Sequence, residues 1–271
     1  MLADTPLGRN TPFPDRYAPE VLCALPRRES CEALGVREPL PFRGEDVWNA
    51  WELTWLDPRG KPVAATAVFR VPADSPNLVE SKSLKLYLNS LAMSRFGSAG
   101  EVASIIAGDL SRTAASTVGV DLRVGGGAPA GPFDDLPGDC IDGLEVECDA
   151  GDVDASLLAC AGGDEVGEEL HSHLLRSNCP VTGQPDMGSV LVRYRGTAID
   201  RRGLLRYLVS YRRHCAFHES CVERIFIDLK ARCAPEQLTV YARYHRRGGL
   251  DINPFRSDFE DRAENVRLWR Q

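Results

Sequence analysis

The sequence predicts an α+β protein made of two similar modules in tandem, each with an antiparallel sheet and a pair of helices. In both halves of the chain, segments that alternate apolar and polar residues are followed by segments with apolar residues at helical spacing. Short stretches also recur: "LYLNSL" at 86–91 resembles "RYLVSY" at 206–211, and "GDLSR" at 108–112 resembles "IDLKAR" at 227–232. Such internal similarity indicates a repeated structural unit.

The first half supplies a complete unit. Residues 1–45 are rich in proline and arginine, which predicts irregular structure. Residues 46–73 predict a β-hairpin around the turn Asp57-Pro58-Arg59-Gly60. Apolar spacing then predicts two helices within 83–96 and 98–116, and "VGVDLRV" at 118–124 predicts a strand.

The stretch "GGGAPAGPFDDLPGD" at 125–139 predicts the end of the first module, which places the modules at 1–138 and 139–271. Its "GGGAPA" also fits the G-x-G-x-x-A fingerprint of dinucleotide-binding proteins, which needs a helix to begin at the glycines. Pro129, Pro132 and Pro137 follow, and proline stops a helix from propagating. The stretch is therefore interpreted as a linker.

The second half repeats the order of elements. Residues 173–197 predict two strands around a loop, residues 200–233 have helical spacing, and "EQLTVYARYHRRG" at 236–248 predicts a further strand.

Composition excludes several classes. A net charge of −7 and a pI near 5.4 argue against a nucleic-acid-binding surface. No apolar run reaches the length of a membrane span and the N-terminus lacks a signal pattern, so the expectation is a soluble cytoplasmic protein. The nine cysteines are odd in number and lack C-x-x-C spacing, which indicates mostly free thiols.

One cysteine stands apart from the rest. Cys179 lies in "RSNCPVTGQPD", where Pro180 disfavours a helix and a Thr-Gly pair predicts a turn that brings Asp186 back toward the sulfur. A thiolate is a strong nucleophile and a carboxyl group can move protons. The alternative is an ordinary loop cysteine.

Two histidine motifs allow more than one interpretation. In "HSH", His171 and His173 share one face of a strand, and with Cys179 they form a possible zinc site, although nothing else follows at ligand spacing. In "AFHESC", Phe217, His218 and Glu219 suit a flat heterocycle, or they form an ordinary helix surface.

Charged residues give two further candidates. Glu80 and Lys82 in "VESKSLKLY" allow two interpretations. They are solvated charges at the start of a helix, or Glu80 binds a substrate and Lys82 binds a phosphorylated cofactor. The basic cluster "YHRRGG" at 244–249, with Arg247 and Gly248, is a possible phosphate contact.

Four motifs in order, "ESKSLKLY", "SNCPVTGQPD", "FHES" and "RRGGLDINPFRS", resemble the QueF nitrile reductases in their long, two-module form. The resemblance covers most of the chain; the stretch 149–168 matches poorly. It implies tunnelling-fold modules similar to those of GTP cyclohydrolase I. It also implies reduction of 7-cyano-7-deazaguanine to the 7-aminomethyl compound with two NADPH, in the synthesis of the tRNA base queuosine.

The resemblance also implies a role for individual residues. Cys179 matches the cysteine that adds to the nitrile carbon as a thioimide, and Asp186 matches the proton donor. His218 matches a histidine beside the base, on which Phe217 would stack. The resemblance assigns substrate contacts to Val79, Glu80, Ser81 and Glu219, and NADPH contacts to Ser81, Lys82, Arg247 and Gly248. It implies a homodimer that needs no resident metal and no contact with nucleic acid.

Three rival functions remain open on the sequence alone. They are a thiol hydrolase, a zinc hydrolase of a purine or pterin that uses His171, His173 and Cys179, and a purine-binding module without catalysis.

Overall fold

The structure is a computed structural model that describes residues 13–125, 133–148 and 151–271. The chain divides into two compact units. The first comprises Met1–Arg37, Asp46–Gly131 and Arg246–Asp251, and the second comprises Glu38–Glu45, Pro132–His245 and Ile252–Gln271.

The first unit combines a sheet with a helix pair. Its strands are β1 (Ala24–Pro26), β2 (Arg43–Leu56, from residue 46), β3 (Pro62–Pro72), β4 (Asn77–Val79) and β5 (Gly119–Val124). Its helices are α1 (Arg27–Ala33), α2 (Ser81–Leu91) and α3 (Ala99–Ala114). The strands β5, β3 and β2 are hydrogen-bonded in that order, and β1 pairs antiparallel with β4.

The predicted hairpin turn of the first unit is confirmed. The Asp57 amide donates to the Lys61 carbonyl at 2.9 Å, and the Asp57 carboxylate accepts from the amides of Arg59 and Lys61. An Asp side chain that closes a turn in this way is why the residue is common there.

The second unit has the same kind of architecture. Its strands are β6 (Asp139–Cys140), β7 (Cys160–Asn178), β8 (Pro185–Ile199), β9 (Gln237–Tyr244) and β10 (Leu250–Ser257, from residue 252). Its helices are α4 (Arg201–Ser210), followed by a 3₁₀ turn at Tyr211–Arg213, and α5 (His218–Cys233). Pairing is antiparallel from β7 through β8 and β9 to β10, whereas the short edge strand β6 runs parallel to β7.

The repeat predicted from short stretches appears as matching contacts within the two helix pairs. In the first unit the Tyr87 hydroxyl donates to Asp109 at 2.7 Å, and in the second the Tyr207 hydroxyl donates to Asp228 at 2.7 Å. Both tyrosines are fully buried, and burial raises the pKa of each phenol above its ordinary value. The α+β class, with antiparallel sheets and paired helices as expected of tunnelling-fold modules, is confirmed.

The prediction of irregular structure over residues 1–45 is wrong in part. Helix α1 forms at residues 27–33 because this short stretch lacks proline and glycine and has a buried anchor. The Arg27 guanidinium donates to the Asp46 carboxylate at 2.8 Å and to the Ser75 carbonyl at 3.1 Å, and both charged side chains are buried.

Other predictions concern the linker and membranes. Residues 126–132 of the glycine-rich linker lie outside the described residues. The poorly matched stretch 149–168 contains the start of β7 at Cys160. Within the described part of the chain, no helix is both long enough and apolar enough to cross a membrane.

Candidate active site

Cys179 lies at the tip of the β7–β8 hairpin, as its turn-rich surroundings predict. The Cys179 amide donates to the Gln184 carbonyl at 2.9 Å, the Gly183 amide donates back to the Cys179 carbonyl at 3.0 Å, and Gly183 has a φ of 67°. The hairpin register sets Ser177 opposite Asp186. Residues directly opposite each other in a hairpin share a face, so Ser177 and Asp186 lie on the same side, and Cys179 follows directly after Asn178, the last residue of β7.

The segment before α5 is hydrogen-bonded to this hairpin. The Asn178 amide donates to the His214 carbonyl at 2.8 Å, and the Asn178 carbonyl accepts from the Ala216 amide at 3.1 Å. These bonds form a parallel bridge between Asn178 and Cys215. They bring the first turn of α5 beside the cysteine loop.

His218, the first residue of α5, is the side chain that meets the hairpin acid. Its Nε2 lies 3.3 Å from Asp186 Oδ2, and its ring stacks on Tyr244 with centroids 3.8 Å apart and planes 5° apart. Asp186 is 2% exposed, so this pair lies in a dry setting. If the neutral ring donates from Nε2 to Asp186, Nδ1 is left as an acceptor, and Nδ1 is buried without a hydrogen-bond partner among the described residues.

Cys221, in the first turn of α5, is poorly suited to act as the nucleophile. Burial raises the pKa of the fully buried Cys221 thiol to about 12, so the sulfur stays protonated at neutral pH. Cys179 therefore remains the candidate nucleophile of the hairpin.

Glu219 follows His218 in the first turn of α5, and its side chain is buried. The N-cap residue of that helix is Phe217, whose side chain makes no capping hydrogen bond. The helix dipole favours negative charge at this place. The prediction that Phe217, His218 and Glu219 form one patch fits this geometry better than an ordinary exposed helix surface.

Glu80 is neither a solvated charge nor a residue of the first helical turn. It is the N-cap of α2, it is 1% exposed, and its two carboxylate oxygens accept from the amides of Lys82 and Ser83 at 2.7 and 2.8 Å. Burial raises the pKa of this carboxyl, and the two amide hydrogen bonds partly offset that rise. Val79, also buried, ends β4 directly before it.

The candidate cofactor residues also lie in the first unit. Lys82 and Gly248 line one cavity of about 390 Å³ together with Lys85. Arg247 and Leu250 close a two-residue turn, the Arg247 amide donating to the Leu250 carbonyl at 2.8 Å. The glycines between them have φ of 61° and 79°, which a hairpin turn of this type requires. Ser81 is the first residue of α2, half-buried beside Lys82.

The predicted site residues thus fall into two groups. Cys179, Asp186, His218 and Glu219 belong to the second unit. The other group, in the first unit, comprises Val79, Glu80, Ser81, Lys82, Arg247 and Gly248. Sequence reasoning missed Tyr244, whose stacking on His218 depends on strand register and leaves no signal in the local sequence.

The zinc set proposed from "HSH" is wrong in one member. Within the described residues, His171 and His173 come together with Cys140, all three ligand atoms lying within 4.8 Å of one another, and Cys179 is not part of this group. Cys140 is brought there by the parallel pairing of β6 with β7, in which Cys140 is the partner of His171.

Comparison with known proteins identifies the family. A family model described as "Nitrile reductase, 7-cyano-7-deazaguanine-reductase N-term" matches residues 13–122, and one described as "QueF-like protein" matches residues 185–263. A protein of Azoarcus sp. (strain BH72) named "NADPH-dependent 7-cyano-7-deazaguanine reductase" is 56% identical over 98% of this chain and 95% of its own. The chain belongs to the QueF nitrile reductase family.

Other relatives of this QueF protein carry the same name. That of Dechloromonas aromatica (strain RCB) is 52% identical over 98% of this chain and 95% of its own, and that of Bordetella pertussis is 51% identical over 100% and 99%. A crystal structure of the archaeosine synthase QueF-Like in the apo form aligns with a TM-score of 0.31 at 20% identity, covering 35% of this chain and 94% of that one. The resemblance expected from the four motifs is confirmed.

Proposed function

We propose that this chain reduces the nitrile of 7-cyano-7-deazaguanine to the aminomethyl group with NADPH, through a thioimide on Cys179. The reaction class and the cofactor follow from the family and from the names of relatives at 51–56% identity. The observation that supports the covalent route is the hairpin that carries both Cys179 and the buried Asp186, with His218 of α5 lying 3.3 Å from the Asp186 carboxylate.

The chemistry needs a nucleophile and a proton donor on the same side of the substrate. The Cys179 sulfur adds to the nitrile carbon, and a proton passes to the nitrogen, which gives a C=N group that accepts hydride far better than a nitrile does. When bound, NADPH supplies one hydride per molecule, and two molecules are oxidised for each nitrile reduced. Between the two reductions the C–S bond breaks and the sulfur leaves as a thiolate, so that an imine is the second acceptor.

Asp186 is suited to deliver the protons. Its carboxyl group is buried and lies 3.3 Å from His218, so a proton can be shared between the two side chains and passed to the substrate nitrogen. Each reduction consumes one proton as well as one hydride, so this pair must be reprotonated during the cycle. His218 is the more exposed of the two, its side chain being 12% exposed.

The carboxylates are suited to hold the base. Glu219 in the first turn of α5 and Glu80 at the cap of α2 are buried acceptors, and a deazaguanine presents N–H donors. Burial of Cys179 at 7% exposure also keeps water from the thioimide, whose hydrolysis would divert the reaction to an amide or an acid.

The NADPH residues fit a phosphorylated cofactor. Lys82 and Lys85 face one cavity, and the glycine turn at 248–249 lets a ligand approach the backbone closely. Lys82 and Arg247 would hold phosphate groups, and Ser81 and Gly248 would add hydrogen bonds.

Three statements about the setting of the enzyme belong to the same proposal. An acidic chain acting on a free base needs no contact with nucleic acid, which agrees with the net charge of −7. We place the reaction in the cytoplasm, where NADPH is available, and expect a homodimer as the resemblance implies. Modules at 1–138 and 139–271 would divide the work, with the nucleophile in the second.

An assay with 7-cyano-7-deazaguanine tests the function directly. Two NADPH should be oxidised per nitrile, and the product mass should be that of the amine. A thiol hydrolase would give an acid or amide without oxidation of NADPH, and a binding module would give no product.

The cofactor contacts have their own test. Lys82→Ala and Arg247→Ala should raise KM for NADPH more than KM for NADH if they meet the 2′-phosphate. Arg59→Ala, in the β2–β3 turn and outside the lining of this cavity, is the matched control and should change neither. Equal effects on the two cofactors would exclude the phosphate assignment.

A further inference from the structure

A cluster in the second unit that the reductase chemistry does not use has the composition of a metal site. Cys140, His171 and His173 bring a sulfur and two imidazole nitrogens within 4.8 Å of one another. The Asp135 carboxylate lies 3.2 Å from His173 Nε2 and 4.0 Å from His171 Nε2. Ligand atoms of a tetrahedral zinc ion, at about 2.1 Å from the metal, are about 3.4 Å apart, so small rotations of these side chains suffice.

Both imidazoles are oriented as metal ligands are. His171 Nδ1 contacts the Pro137 carbonyl at 3.0 Å, and His173 Nδ1 contacts the Ser189 hydroxyl at 2.8 Å. In metal sites the ring nitrogen that does not bind the metal is hydrogen-bonded to an oxygen in this way. The arrangement leaves the Nε2 atom of each ring for a ligand.

The Nε2 atom of His171 lacks a hydrogen-bond partner among the described residues. His171 is 5% exposed, and this nitrogen is buried. A hydrogen bond between His173 and Asp135 would account for His173 alone. Buried polar atoms are rarely left unsatisfied, so the orphaned Nε2 indicates that a ligand belongs there.

The backbone holds the cluster together. Cys140 is the partner of His171 in the β6–β7 pairing, and the Ile141 amide donates to the His171 carbonyl at 2.9 Å. The Asp142 carboxylate accepts from the Ser172 hydroxyl at 2.6 Å and from the His173 amide at 2.9 Å. Cys140, His171 and His173 therefore lie on adjacent strands whose relative position is fixed.

We propose that Cys140, His171, His173 and Asp135 form a structural zinc site that fastens the edge strand β6 and the loop before it to β7. Thiolate and imidazole ligands select Zn²⁺ over hard cations such as Mg²⁺. One thiolate, one carboxylate and two neutral imidazoles balance the charge of a divalent ion. Four protein ligands leave no open position, which is typical of a structural rather than a catalytic zinc site.

The test uses metal-stripped, full-length protein kept reduced and titrated with Zn²⁺ alone and with Co²⁺ alone. We expect one ion per chain after gel filtration, and with Co²⁺ the intense d–d absorption of a tetrahedral site together with a thiolate charge-transfer band. A hundredfold excess of Zn²⁺ over its Kd should raise Tm by about 5 °C.

Variants assign the ligands. Cys140→Ser, at an exposed position that should tolerate the change, should abolish the charge-transfer band, and His171→Gln should weaken binding at least 100-fold. Ser189→Ala, which removes only the partner of His173, should weaken binding about 10- to 100-fold. Cys148→Ser and Cys179→Ala are the controls and should bind as the unaltered protein does. Binding below one ion per chain, or binding unchanged in Cys140→Ser, would overturn the proposal.

Discussion

The first turns of α3 and α5 begin the second helix of each helix pair, and they are built in opposite ways. At α3 the Ser98 hydroxyl accepts from the Glu101 amide at 3.1 Å, and the Glu101 carboxylate accepts from the Gly97 amide at 2.6 Å. This reciprocal cap satisfies the free N–H groups of the helix end. At α5 the N-cap residue is Phe217, whose side chain makes no capping hydrogen bond.

The difference separates stability from function. Replacing a capping side chain by one that cannot cap costs about 1 kcal/mol of stability. Helix α5 lacks a capping side chain at its N-cap position, and His218 and Glu219 are its first two residues. The corresponding first-turn residues of α3 are Ala99 and Gly100, which carry no chemistry. The repeat therefore conserves the buried tyrosine–aspartate contact of the helix pair and changes the helix end that carries the candidate site.

Among the variants that test this comparison, substitution of His218 should have the largest effect on activity. His218→Gln should lower kcat about 100-fold or more, because the pair with Asp186 that moves protons is lost, while stability changes little. His214→Gln, in the same segment but packed edge-on against Tyr211, is the matched control. Loss of activity in both variants alike would mean that the segment matters only as a support.

A smaller effect on catalysis is expected at Glu80. Glu80→Gln keeps an acceptor for the cap of α2 but removes the charge, so KM for the base should rise about 10- to 100-fold. An unchanged KM would restrict Glu80 to its role as a helix cap.

The same variant has a predicted pH dependence of stability. Because burial raises the folded pKa of Glu80 above its unfolded value, the folded state holds its proton more tightly, and stability falls as pH rises through this range. Glutamine does not titrate, so the Tm of Glu80→Gln relative to the unaltered protein should increase as the pH rises above the ordinary pKa of a glutamate, about 4.3. A Tm difference that is constant with pH would contradict this.

The smallest effect should be at the capped helix end. Ser98→Ala should lower the free energy of unfolding by about 1 kcal/mol and leave kcat and KM unchanged, because only the α3 cap is lost. Denaturant unfolding measures the first quantity. A loss of activity at equal stability would show that the two helix ends are not divided between stability and function.

The elements of the fold that depend on local sequence were predictable. The Asp57 turn, the two helix pairs and the long hairpin around Cys179 follow from periodicity and from residues with defined turn preferences. The tyrosine and aspartate of the repeated stretches form the same hydrogen bond in both helix pairs. Helix α1 was missed because its stability comes from the buried pair of Arg27 and Asp46, which are distant in sequence.

The site was predictable as a set of residues but not as an arrangement. Turn chemistry singled out Cys179, and "FHES" singled out His218 and Glu219. The stacking of Tyr244 on His218 and the approach of Cys140 to His171 depend on strand pairing, which has no local signature. The capping role of Glu80 depends on where α2 begins, and helix boundaries are the least certain part of a sequence-based prediction.

The central claim is that Cys179 forms a covalent bond to the nitrile. Protein mixed with 7-cyano-7-deazaguanine in the absence of NADPH should gain the mass of one substrate per site, mapped to the peptide that contains "SNCPVTGQPD". Cys179→Ala should gain none and should reduce no nitrile, Cys148→Ser should behave as the unaltered protein, and Asp186→Asn should lower the yield because an amide cannot supply the proton. Unaltered protein that oxidises NADPH with the nitrile yet shows no adduct, even after rapid quenching, would contradict the account.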